Sequence, residues 1–256
     1  MLIAIGSVKS SPGVTISALA LAAFRPAGAG LVIEADPAGG DVKAWRELPG
    51  EAGLAGLAAE ARHNPAAELA ARYAAELPGG LRVVTAPEAA EQAAAPVALL
   101  AAQGSAFLAS LAAGPAPTVL DLGRLDADSP ALGLLGHCDR VLLALRPVLG
   151  EITRAAARVH ALSAALAPRA ALGLILVGSG YPAGEIERSL GVPVIAQLPE
   201  DRAGAAAIAG LAGGRRLGHT KLARAARTAW SRIEEPLPNG AGEHSPQRLA
   251  LIGVGA

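Results

Sequence analysis

Short apolar runs recur along this 256-residue chain, and longer segments with helical periodicity separate them. The runs fall at 2–8, 31–34, 81–85, 118–120, 141–145, 172–177 and 194–197, and each reads as a strand. Helices are expected at 14–23, 54–62, 66–76, 88–102, 105–112, 151–167, 184–190, 202–209 and 221–233. Strands so short and so continuously apolar belong in a sheet buried on both faces. Their alternation with helices predicts βαβ units. The expected fold is α/β: a mainly parallel, twisted sheet of about seven strands, right-handed connections, and helices on both faces. Aromatic residues make up only 2% of the chain, so Leu, Val, Ile and Ala must fill the core. The length suits one large domain, assigned to residues 1–235. Residues 236–256 are Pro/Gly-rich and read as a tail, with a short apolar patch at 249–254 that receives no role.

Several function classes lose support at once. Lys and Arg together number 22, as do Asp and Glu, which argues against a surface built wholly for nucleic acid. The most basic stretch carries Arg215, Arg216, Lys221, Arg224 and Arg227. It reads as a solvated helix face, with contact to DNA or acidic lipid as the alternative. The single cysteine, Cys138, excludes an internal disulfide and fits a reducing cytoplasm. No apolar run reaches the roughly 18 residues of a membrane span, and no basic lead precedes the apolar start as in a signal peptide. His63, His137, His160, His219 and His244 show no metal-ligand spacing to one another or to Cys138. No Gly-x-Ser-x-Gly elbow invites a hydrolase reading.

The informative segment is Val8-Lys9-Ser10-Ser11-Pro12-Gly13-Val14-Thr15. A strand precedes it and a helix follows. A Gly-containing turn in that setting is where a phosphate-binding loop sits, although a plain βα turn with a capping hydroxyl is the simpler reading. Ligands of open parallel sheets bind at the carboxyl ends of the strands. There the second run ends in Glu34-Ala35-Asp36-Pro37 and the fourth in Asp121. One phosphate loop and two strand-terminal acids make the minimal layout for a triphosphate with Mg²⁺. Each acid also has a plainer reading: Asp36 as a turn residue before Pro37, Asp121 as a cap or structural carboxylate. Glu34 reads as structural.

Together these motifs resemble the MinD/ParA family of deviant-Walker P-loop ATPases. The family loop K-G-G-x-G-K-T-T is matched by Lys9-Ser10-Ser11-Pro12-Gly13-Val14-Thr15-Ile16, and its D-x-D-P-Q-G by Glu34-Ala35-Asp36-Pro37-Ala38-Gly39. Thr118-Val119-Leu120-Asp121 resembles its Walker B strand, and Leu145-Arg146-Pro147 a later strand ending in R-P. Leu190-Gly191-Val192-Pro193-Val194-Ile195 and Leu198-Pro199-Glu200-Asp201 resemble its late "lGvpvlg.iPeD" segment, so the likeness runs in order through residues 2–233. The resemblance implies a P-loop NTPase-like domain that binds ATP and Mg²⁺. Lys9, Ser10, Ser11, Gly13, Val14, Thr15 and Ile16 are implied as the nucleotide-binding loop. Lys9 is further implied to reach phosphate across an ATP-sandwiched homodimer. Thr15 and Asp121 are implied for the metal, and Asp36 for the attacking water.

The departures from the pattern are specific. Val14 stands where the family has its loop lysine, a charge-assisted contact worth roughly 1.5–3 kcal/mol. Val8, Ser10 and Ser11 replace glycines, Pro12 removes an amide donor, and Ile16 removes a hydroxyl. Val177-Gly178-Ser179 replaces the family's Asn, leaving adenine specificity without support. Atypical loops of this kind resemble the TadZ/CpaE-like members, which organise pilus and secretion machinery, whereas segregation ATPases keep the lysine. Three readings remain: a degenerate ATPase acting as a nucleotide-dependent, dimerising spatial organiser; a pseudo-ATPase scaffold that binds no nucleotide; and an active ATPase using Lys9 in place of the missing lysine. The expected partners are a second copy and a protein such as a secretion or pilus ATPase. The expected location is cytoplasmic, with a peripheral or polar position. The tail lacks the basic amphipathic helix that anchors MinD to membranes.

Overall fold

The computed structural model describes residues 1–10, 12–50, 53–168, 170–211 and 217–235. One eight-stranded sheet organises them. In chain order its strands are β1 (Leu2–Ser7), β2 (Leu31–Glu34), β3 (Ala75–Leu77), β4 (Leu81–Val84), β5 (Thr118–Arg124), β6 (Arg140–Leu145), β7 (Ala171–Val177) and β8 (Val194–Leu198). They lie side by side in the order β3-β4-β2-β5-β1-β6-β7-β8. All neighbours are parallel except β3 and β4. β1 is buried along its whole length, as its apolar run through Ile5 leads one to expect. Strand alternation splits the core in two. Leu2 and Ala4 face one layer while Ile3 and Ile5 face the other.

The first layer holds α3 (Gly53–Ala61), α4 (Leu69–Tyr73), α5 (Ala90–Gln103), α6 (Ser105–Ala113), α7 (Leu149–Ala164) and α8 (Ala183–Leu190), with a 3₁₀ segment at Pro130–His137. The second holds α1 (Val14–Ala23), α2 (Val42–Trp45), α9 (Arg202–Ala209) and α10 (Lys221–Glu234). α10 lies on α1 through Trp230, which is 1% exposed and donates its indole N–H to the Leu21 carbonyl at 2.9 Å. Asp201 caps both neighbouring helices, accepting from the Gly204 N–H at 2.9 Å and the Leu222 N–H at 3.0 Å. No single helix among the described residues is long and apolar enough to cross a membrane.

Two expectations need correction. The segment 66–76 is not one helix: α4 stops at Tyr73, and the chain turns into edge strand β3. Its Ala-rich composition favours a helix locally, but Gly79 (φ 90°) and Gly80 (φ 79°) form a tight antiparallel return onto β4. That left-handed backbone suits glycine. β5 is also longer than residues 118–120, running three residues past Asp121 to Arg124. The tail at 236–256 and its patch at 249–254 lie outside the described residues.

Trp230→Ala is expected to destabilise the protein by about 3–5 kcal/mol. Trp230→Phe, which loses the hydrogen bond but keeps most of the packing, should cost clearly less. Urea unfolding monitored by circular dichroism checks both.

A candidate phosphate-binding cleft at the strand ends

The sheet order places β5 between β2 and β1. Three segments far apart in the chain therefore meet at one edge. Past β1, the chain enters a loop in which Ser10 (φ 61°) and Gly13 (φ 88°) both take left-handed conformations. Gly13 is the N-cap of α1 and offers no side-chain acceptor to it. The Ser17 N–H bonds the Gly13 carbonyl at 2.8 Å. The first-turn amides before it have no partner within the helix, and residues 13–16 line an open cleft of about 680 Å³. Asp36, Asp41 and Trp45 line it from the β2 side, and residues 123–124 and 126 from the β5 side.

Asp121 lies behind this lining, next to Gly123 and Thr15. It is 1% exposed, level with Ile5 of β1 and Glu34 of β2. Its carboxylate accepts from the Gly123 N–H at 3.1 Å and is hydrogen-bonded by the Thr15 side chain. Burial pushes its pKa up to about 6, against these two stabilising donors. The two residues implied for the metal are thus neighbours at the start of α1.

Asp36 accepts from the Ala38 N–H at 2.8 Å. Burial holds its carboxyl above the usual range, the Ala38 N–H opposes this, Asp41 adds to it, and Arg124 also opposes it. The carboxylate occupies the space a side chain at Gly123 would need: a Cβ there would lie 1.9 Å from the Asp36 Cγ. Gly123 also has φ 57°, so glycine is required on both counts. Glu34 accepts from the N–H groups of Asp41 (2.9 Å), Val42 (3.0 Å) and Ala86 (3.1 Å). It fixes the start of α2 and the loop after β4. Burial raises its pKa to about 7, despite the Val42 amide.

Of the loop residues named from sequence, Ser10, Gly13, Val14, Thr15 and Ile16 line the cleft, as does Asp36. Lys9 is exposed and not part of the lining. Ser11 lies outside the described residues. Val14 is 7% exposed and belongs to the second core layer. Arg215 and Arg216 also lie outside the described residues. Farther along that basic stretch, Arg224 donates to the His219 carbonyl at 3.2 Å, and Arg227 donates to the Gly218 carbonyl and stacks over Phe24. Reading the sequence missed Gly123, Arg124, Asp41 and Trp45. The Gly-Arg pair just beyond Asp121 was the one available signal.

The raised pKa of Glu34 has a defined sign. The unfolded chain loses this proton near pH 4.5, while the folded protein holds it until about 7. The folded state therefore binds more protons in that window, and stability falls as pH rises through it. Asp121 acts in the same direction. The unfolding free energy from urea titrations should drop between pH 5 and 8, by on the order of 2–3 kcal/mol for Glu34 alone, and Glu34→Gln should flatten that slope.

No protein-family profile matches the chain, and no curated protein sequence does. Solved structures do match. MinD from Pyrococcus horikoshii, complexed with Mg-ADP, superposes with a TM-score of 0.70 at 16% identity, over 91% of this chain and 96% of that one. A ParA family ATPase from Chlorobium tepidum gives 0.67 at 16% identity, covering 91% and 97%. A Cyanothece McdA variant in complex with ATP gives 0.66 at 13% identity, covering 91% and 95%. The chain carries the P-loop α/β fold of the MinD/ParA ATPases over nine-tenths of its length.

Proposed function

We propose that this protein binds a Mg²⁺-nucleotide, with ATP the expected one, in the cleft between β1, β2 and β5, and works as a dimerising spatial organiser of the MinD/ParA type. The observation that carries the reading is the placement of Thr15, which lines the cleft at an uncapped helix start, beside the buried Asp121 carboxylate. A hydroxyl and a carboxylate are hard oxygen donors of the kind Mg²⁺ takes, alongside phosphate and water. Left-handed Gly13 opens the first-turn amides of α1 toward an anion, and the helix dipole favours negative charge there. Bound Mg²⁺ would neutralise phosphate charge and polarise the terminal phosphoryl group. Asp36, held by the Ala38 amide, lines the same cleft and would orient a water. Exposed Lys9 is free to meet the nucleotide of a second copy.

Hydrolysis is expected to be slow, because Val14 supplies no charge where phosphoryl transfer needs it. In this reading the nucleotide stabilises the dimer by mass action, and a protein partner such as a secretion or pilus ATPase recognises the dimer. A cytoplasmic protein with a peripheral or polar position follows. The competing reading, a scaffold that binds no nucleotide, draws support from the buried Val14 side chain and from Pro12, which has no N–H. An active ATPase that relies on Lys9 is the third.

Isothermal titration with Mg-ATP separates these readings. Binding that Asp121→Asn weakens at least tenfold supports the proposal; no heat at millimolar Mg-ATP leaves only the scaffold. Light scattering should show a dimer with Mg-ATP that Lys9→Ala abolishes. A dimer that persists unchanged in Lys9→Ala would refute the trans role of this lysine. Turnover that Asp36→Ala removes would favour the active enzyme.

A further inference from the structure

The cleft has a charge problem. Asp36, Asp41, Asp126 and Asp128 line it, and Asp121 lies behind the lining. A polyphosphate entering this space meets carboxylates on two sides. The loop position that would offset them carries Val14, whose side chain is packed into the core. Lys9 is exposed to solvent and does not line the cleft. Among the described lining residues, Arg124 is the only cation.

The backbone puts Arg124 there for an identifiable reason. β5 does not stop at its buried acid but continues beside β1. The register between them shifts between Ile5 and Ser7, so that Ser7, the last residue before the loop, pairs with Arg124. The Leu125 N–H then bonds the Ser7 carbonyl at 2.8 Å and locks this pairing. Gly123, left-handed at φ 57°, makes the turn that the shift requires while leaving room for Asp36. From this position Arg124 reaches over the loop, its Nη2 donating to the Ser10 carbonyl at 3.5 Å. That distance is the outer limit of a hydrogen bond, so the guanidinium is stationed at the loop without being committed to it. Its charge is felt by Asp36, whose carboxylate packs against the neighbouring Gly123.

We infer that Arg124 supplies, from β5, the phosphate-binding cation that the loop lost at Val14. The inference rests on the nucleotide reading above and deepens it. A guanidinium suits this role, because its planar fork bonds two phosphate oxygens at once and it stays charged beside carboxylates. The contact is to phosphate and not to the base, so it serves any nucleoside polyphosphate.

The test is equilibrium binding of a fluorescent ATP analogue with Mg²⁺, and of inorganic tripolyphosphate as its competitor, at fixed ionic strength. Arg124→Ala should weaken both by about tenfold to a hundredfold, with an unchanged melting temperature because the side chain is exposed. Arg124→Lys, which keeps charge but loses the fork, should weaken them less. Adding Val14→Lys to Arg124→Ala should restore part of the affinity. Undiminished binding by Arg124→Ala would overturn the inference while leaving the nucleotide reading intact. An equal loss in Arg124→Lys and Arg124→Ala, with no recovery from Val14→Lys, would overturn the charge argument. Failure of the unaltered protein to bind either probe at millimolar concentration would overturn the nucleotide reading and this inference with it.

Discussion

The carboxyl edge of this sheet is arranged around one buried carboxylate. Burying an isolated charge is costly, and an acid in such a place needs donors or a neutralising ion. Asp121 has two donors, the Gly123 amide and the Thr15 side chain. The first bends β5 immediately beyond the acid. The second ties the first turn of α1 to the middle of the sheet. Both constraints converge on the same cleft; both act to lower the carboxyl's pKa, and burial outweighs them and leaves it raised. A site whose buried acid resists ionisation is one that a cation would relieve.

The surrounding walls follow from that acid. The bend at Gly123 makes room for the Asp36 carboxylate, which a side chain at 123 would exclude. Glu34, paired with Asp121 across the sheet, uses both oxygens on amides of α2 and the loop after β4. It thereby shapes the segment that presents Asp41 and Trp45. The loop after β1 is less orthodox. Its glycine is retained where the backbone is left-handed, but Ser10 takes a similar conformation without being glycine, a strained choice of the kind that clusters at functional sites. In the proposed reading, positive charge has moved from the loop to the neighbouring strand, and that move is what lets an acidic cleft seat a polyanion.

Much of this was legible from residues alone. Helices at 14–23 and 202–209 have the bounds expected from the sequence, the first as a near-continuous apolar segment, and all seven expected strands are present. Long amphipathic helices and wholly apolar strands announce themselves because burial on a regular face imposes a period. The eighth strand did not announce itself. Ala75–Leu77 is three residues long and follows an Ala-rich helix, so only its pairing with β4 defines it. α2 was equally silent, since a four-residue helix carries no period and depends on the Glu34 carboxylate for its start. At the site, Lys9, Gly13, Thr15, Asp36 and Asp121 were named by motif. Gly123 and Arg124 were not, because their importance arises from a register shift.

By itself, the amino-acid sequence determined the class of fold, the strand–loop–helix opening and the identity of the groups delivered to the strand ends. These depend on local pattern: apolar period, turn residues and the order of elements. Tertiary structure decided which of those groups meet. Residues 15, 36 and 121 come together because β5 inserts between β2 and β1, a pairing no local preference encodes. It also turned Val14 into the core, left Lys9 in solvent and carried Arg124 to the loop. The physical reason is that hydrogen-bond register between distant strands, and not sequence neighbourhood, sets which side chains share one dielectric environment.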